Sequence, residues 1–110
     1  MEPAAVVATL TDPTGRSVVL DVGGWAYILV HHREMAPHRA AVLATVAAPD
    51  HRRPDPRPGR ERFYRQGAGP SRWCFVVVDF TVEPARIVTA LGTRRDPPGW
   101  PRPAEGPRGP

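Results

Sequence analysis

The residues best equipped for chemistry are His31 and His32, a pair in the first third of the chain, and "RERFYRQG", residues 60–67, where arginines bracket a tyrosine. Cutting RNA without a metal requires a base for the 2′-hydroxyl proton, an acid for the departing 5′-oxygen, and cations for the charge that builds on phosphorus. Histidine titrates near neutrality and can serve in either proton role, and the guanidinium fork matches phosphate oxygens through two parallel hydrogen bonds. The period of two along a strand places Arg60, Arg62, Tyr64 and Gln66 on one face, and Glu61, Phe63 and Arg65 on the other. Arg62 and Tyr64 then share a surface on which the tyrosine stacks a base or lends its hydroxyl while arginines hold the backbone.

Each residue also has a plainer role. His32 suits the edge of a core with its ring bonded to backbone, and Tyr64 suits cross-strand packing. Arg60, Arg62 and Arg65 suit a solvated strand that resists aggregation, and Thr89 is β-branched, as strand residues often are. The interest lies in their coincidence.

Competing chemistries find less support. His31, His32, His38 and His51 lack the tight paired spacing of a zinc site, the chain has a single cysteine, and no HExxH or CxxC occurs, so neither metal nor cofactor is expected. "DVGGW", residues 21–25, has two glycines before a helix but not the lysine of a phosphate-binding loop. Gly23 and Gly24 are read as freeing the strand-to-helix turn.

The elements that must position these residues follow from the pattern. Residues 5–11 and 16–22 are β-rich runs joined by Asp12-Pro13-Thr14-Gly15, a hairpin signature. Trp25, Ile28, Leu29, His32 and Met35 recur at helical spacing, with His32 on the apolar stripe. Pro37 opens a second helix carrying Val42, Leu43, Val46 and Ala47 until Pro49 stops it. Residues 49–59 hold four prolines and read as a long surface loop. Strands at 60–66, 73–81 and 86–92 then form a meander. The expected fold is α+β: an N-terminal β-hairpin, two helices, and a three-strand antiparallel meander with the helices on one face of the sheet. One domain covers residues 1–93, and residues 94–110, with six Pro and three Gly, read as a disordered tail.

The chain has 110 residues, 41% of them apolar, enough for one modest core. Its formal charge is +4, and all 15 basic residues are arginine. GC-rich coding explains that bias as readily as an anionic partner does, so position is more telling. Residues 31–72 hold nine arginines against four acidic residues. Cys74, flanked by Trp73 and Phe75, has no disulfide partner within the chain and fits burial in a reducing cytoplasm. No basic segment precedes the short apolar start, and no apolar run approaches the ~20 residues of a membrane helix, so no membrane association is expected.

In order, "W-x-x-I" at 25–28, "H-x-E-M" at 32–35, "E-R-F-Y-R" at 61–65, "V-V-V-D-F" at 76–80 and "I-V-T-A" at 87–90 resemble the RelE-like branch of the barnase–EndoU–colicin–RelE nucleases. Small phage- and toxin-associated members are the nearest likeness, and the match spans about residues 6–95. The resemblance implies helices packed on an antiparallel sheet and a metal-independent endoribonuclease that leaves 2′,3′-cyclic phosphate ends. Its pattern often has a histidine two residues after the tryptophan and a second opening a His-Pro-Glu. Tyr27 stands in the first place here, His32 in the second, and Arg33 replaces the proline. Tyr27, His31 and Tyr64 are the substitutes for the first histidine. The catalytic candidates are thus His32, Tyr64, Arg62 and Thr89; the RNA-binding candidates are Arg60, Arg65, Arg72, Tyr27 and His31. Expected partners are RNA, including ribosome-bound mRNA, and an antitoxin protein. The alternative is an inactive member of the same fold that binds RNA or an antitoxin.

Overall fold

The computed structural model describes residues 5–101. Strands β1 (Val6–Thr11) and β2 (Ser17–Asp21) precede helix α1 (Val22–His31), a 3-10 helix (Arg33–His38) and helix α2 (Arg39–Ala47). Strands β3 (His51–Pro54), β4 (Arg60–Gln66), β5 (Trp73–Asp79) and β6 (Ala85–Thr93) follow. They form one six-stranded mixed sheet in the order β1-β2-β6-β5-β4-β3. This corrects the expected hairpin plus three-strand meander. β2 joins β6 in parallel through Val18–Ala85 and Val19–Arg86, a long-range pairing to which local periodicity is blind.

Two further expectations change. The loop expected over 49–59 contains β3, whose four residues pair with β4 from His51–Tyr64 to Pro54–Glu61. Backbone hydrogen bonds hold this strand, so it has no need of the alternating apolar side chains by which strands are recognised. The tail expected from Arg94 onward begins with a strap: Asp96 Oδ1 accepts from Trp73 Nε1 at 3.0 Å, and Pro98 O accepts from Arg53 Nη1 at 3.0 Å. The Trp100 ring meets that of Trp73 edge-on, with centroids 4.8 Å apart. Residues 102–110 lie outside the described residues.

Side-chain alternation divides the sheet into two faces. Val18, Leu20, Phe63, Cys74, Val76, Val78, Ile87 and Ala90 bury against Ile28, Met35, Val42 and Val46 to form the core. Burying each large aliphatic or aromatic side chain contributes about 1.5–3 kcal/mol. Burial also pushes the Cys74 thiol pKa up, so the sulfur stays protonated.

The sheet curls until its opposite edges meet on the core side. In the β1–β2 turn, Asp12 Oδ1 accepts from Thr14 N, Thr14 Oγ1 and Arg16 N at 2.8–2.9 Å. Gly15 takes φ 91°, the left-handed geometry this turn requires. Asp12 Oδ2 lies 3.0 Å from Arg52 Nη1 of β3, closing the curl with an ion pair.

Candidate functional site

Cross-strand register builds the other face. The rows Arg60–Asp79–Arg86, Arg62–Val77–Thr89 and Tyr64–Phe75–Leu91 run across β4, β5 and β6. Arg86 and Thr89 are three residues apart and would face opposite sides of a regular strand. An irregularity at Val77/Val78 pairs these residues with Thr89 and Ile87, leaving Val88 as the extra residue. This bulge brings Arg86 and Thr89 to the same side.

Residues of the first two rows floor an open groove of about 620 Å³. One wall is the start of α1, with Gly23, Gly24 and Tyr27; the other is the segment after β3, with Asp55, Pro56 and Arg57. The helix fits there because β2 leaves the edge of β6 after two paired residues. A Cβ on Gly24 would come within 3.1 Å of Ile87 O and 3.2 Å of Asp21 Oδ1, so glycine permits the close approach of helix and strand. The sequence reading had these glycines free a turn, but both lie inside the helix.

Two aspartates aim the arginines. Asp21 caps α1, its Oδ1 accepting from Gly24 N at 2.7 Å, while its Oδ2 lies 3.2 Å from Arg86 Nη2. Asp55 Oδ1 accepts from Arg62 Nε at 2.7 Å. That bond raises the Arg62 pKa above its ordinary value, more than burial lowers it. Burial works against ionised Asp55, but bonds from Arg57 N and Arg62 outweigh it and hold the carboxyl below its usual range. Four arginines (57, 60, 62 and 86) and one carboxylate therefore line the groove, together with the positive end of a helix. The arrangement favours an anion with several oxygens.

Of the residues singled out in the sequence, Arg60, Arg62, Tyr27 and Thr89 converge on this groove. Tyr64 lines a neighbouring hollow that shares Arg62. His31 joins indirectly, its ring centroid 4.2 Å from that of Tyr27, which is 51% exposed. His32 is not brought in. It caps the far end of α1, eight residues or about 12 Å along the axis from Gly24, with Nδ1 3.8 Å from Glu34 Oε2.

Arg65 and Arg72 are also elsewhere. Arg65 donates to Ala48 O at the C-terminal cap of α2, and Arg72 Nη2 lies 3.1 Å from Asp96 Oδ1. Sequence reasoning missed Arg57, Arg86 and Asp55. Arg57 and Asp55 sat in a stretch read as loop, and only the bulge makes Arg86 a neighbour of Thr89. Among the described residues no group of three or more His, Cys, Asp or Glu is arranged to hold a metal ion, and no helix is long and apolar enough to cross a membrane. Comparison with protein families, curated proteins and solved structures found no match.

Proposed function

We propose that this protein is a metal-independent endoribonuclease that holds an RNA phosphodiester in the arginine groove and cleaves it to a 2′,3′-cyclic phosphate. The observation that carries the reading is the convergence of Arg57, Arg60, Arg62 and Arg86 with the hydroxyl-bearing Tyr27 and Thr89 around one open cleft. In the reaction the 2′-oxygen bonds to phosphorus while the bond to the 5′-oxygen breaks. The 2′-hydroxyl gives up a proton and the leaving oxygen gains one. The arginines stabilise the charge on the non-bridging oxygens, with Arg62 oriented by Asp55 and Arg86 by Asp21. Tyr27, backed by His31, is the proton-transfer group at the wall, and Thr89 offers a hydroxyl from the floor. A cytoplasmic site of action fits this reading and the buried free Cys74.

The test is labelled RNA in excess EDTA, with the fragment ends analysed. Wild type is expected to leave cyclic phosphate ends. Arg62→Ala should be slower by about 10²–10³-fold, the cost of losing one preorganised charge-stabilising group. Arg72→Ala should match wild type. RNA left intact between pH 5 and 8, both alone and on ribosomes, would overturn the nuclease reading.

One observation favours a second reading, RNA binding without cleavage: among the described residues no histidine lines the groove. It predicts intact RNA and an affinity that falls with salt. Four neutralised phosphates give a log–log slope near −3 for a single strand.

A further inference from the structure

Beside the groove the same sheet face carries a second hollow, of about 350 Å³, lined by Arg62, Tyr64, Phe75, Leu91, Thr93 and Arg95, with the strap at its rim. Its floor is the row Tyr64–Phe75–Leu91, two residues along each strand from Arg62–Val77–Thr89. That offset is about 7 Å of strand rise, comparable with the reach from a phosphate to the base of its own nucleotide.

The chemistry changes across this step. The groove presents mainly cations, whereas the hollow sets two aromatic rings and a leucine beside Arg62 and Arg95. Tyr64 is only 5% exposed, with its centroid 4.9 Å from Phe75 and its ring edge-on to Trp73, so it is a fixed wall. Phe75 and Leu91 are half-buried and offer open apolar surface. Arg62 belongs to both sites, its guanidinium carbon 5.6 Å from the Phe75 centroid. Strap contacts from Asp96 to Trp73 and Arg72, and from Pro98 to Arg53, fix the far rim. A flat ring that stacks on a phenyl group and meets a guanidinium, and that is tethered to an anion about 7 Å away, matches these features. An apolar peptide side chain would leave the neighbouring cations without a role.

We infer that this hollow is a nucleobase pocket for the RNA strand whose phosphate occupies the arginine groove, with Phe75 as the stacking platform and Arg62 as the wall shared by base and phosphate. The inference rests on the RNA reading of the groove and adds a base subsite to it.

The experiment compares two uncleavable 2′-O-methyl oligonucleotides of equal length, one carrying bases and one abasic throughout, titrated by fluorescence anisotropy. Wild type should bind the base-bearing strand at least about fivefold more tightly. Phe75→Leu keeps apolar volume but removes the ring; it should bring the ratio toward one and leave the affinity for the abasic strand unchanged. Leu91→Trp, which fills the hollow from the opposite side, should do the same, and thermal melts verify that both variants fold. Equal, measurable binding of both strands by wild type overturns the base pocket and leaves the groove reading standing. A ratio that survives in both folded variants also overturns it. Failure of wild type to bind either strand overturns the groove reading, and the pocket with it.

Discussion

The two faces of β4, β5 and β6 come from alternate residues of the same strands and have opposite characters. Phe63, Cys74, Val76 and Ala90 point under the helices and are fully buried. One position away, Arg62, Phe75, Val77 and Thr89 face the side opposite the core, where the start of α1 stands only as a wall of the groove. On the covered face packing dictates composition, because every side chain must fill space beside Ile28, Met35, Val42 and Val46. On the open face Tyr64 and Val77 are buried too, but the arginines beside them are not, so the charge concentrated there calls for another explanation. Arg52 reinforces the contrast. It lies on the covered side, over the Phe63 ring at 4.5 Å, and is matched to Asp12 and Glu61, whereas the four arginines of the groove meet two carboxylates, Asp55 at Arg62 and Asp21 at Arg86.

The contrast is broken most directly by cutting one residue from each face. Phe63→Ala should cost about 3–5 kcal/mol of unfolding free energy in urea titrations, through lost burial and the cavity left behind. Arg60→Ala should stay within about 0.5 kcal/mol, as surface substitutions usually do. A similar cost for both would mean that the open face is structural, which would weaken its reading as a binding surface.

Acid probes the closure of the covered side. Burial disfavours the charged form of Asp12, but its bonds to Arg16 N and Thr14 and its pairing with Arg52 prevail, so its pKa lies below the ordinary value. Asp12 therefore binds protons more readily in the unfolded chain. Its stabilising contribution is complete above the unfolded value near pH 4 and is lost as pH falls through the lower folded value. Asp55 and Asp79 are lowered as well, so acid also loosens the rim of the groove. Wild type should lose stability progressively below about pH 4. Asp12→Asn should be less stable at neutral pH and show a shallower acid dependence. Equal slopes in urea titrations across that range would remove Asp12 as the clasp of the curled sheet.

The covered face was the more legible in the sequence, for the same physical reason. β4 spans Arg60–Gln66 as expected, with Phe63 buried on the covered face, although Tyr64 beside it is buried as well, on the other face. The groove depends on register, which local pattern does not carry. Thr89 meets Val77 and Arg62 only through strand pairing, and Arg86 joins them only because Val88 is extra. "HRRP" pairs through backbone atoms with no apolar signal. Asp96 and Trp100 sit among prolines and glycines, so their contacts with Trp73 are not visible until β5 is in place. His32 shows the opposite hazard. Helical spacing put it on the apolar stripe, but the helix ends at His31 and leaves it as the cap, turned toward Glu34.

The smallest expected effect is therefore the most discriminating. His32 is the leading catalytic candidate by residue type and family likeness, yet the groove takes Gly23, Gly24 and Tyr27 from α1 and does not reach His32. His32→Ala should change the rate of RNA cleavage by less than about twofold, within the range of surface substitutions that touch neither core nor ligand. Tyr27→Phe, which removes the hydroxyl at the groove wall, should slow cleavage by about 10²-fold, the usual contribution of a positioned proton-transfer group. The reverse order, with His32→Ala inactive but folded and Tyr27→Phe active, would move the reaction centre to the C-terminal end of α1. The arginine groove would then bind a neighbouring part of the RNA strand, since the groove reaches along α1 only as far as Tyr27, five residues or about 7.5 Å of helix short of His32.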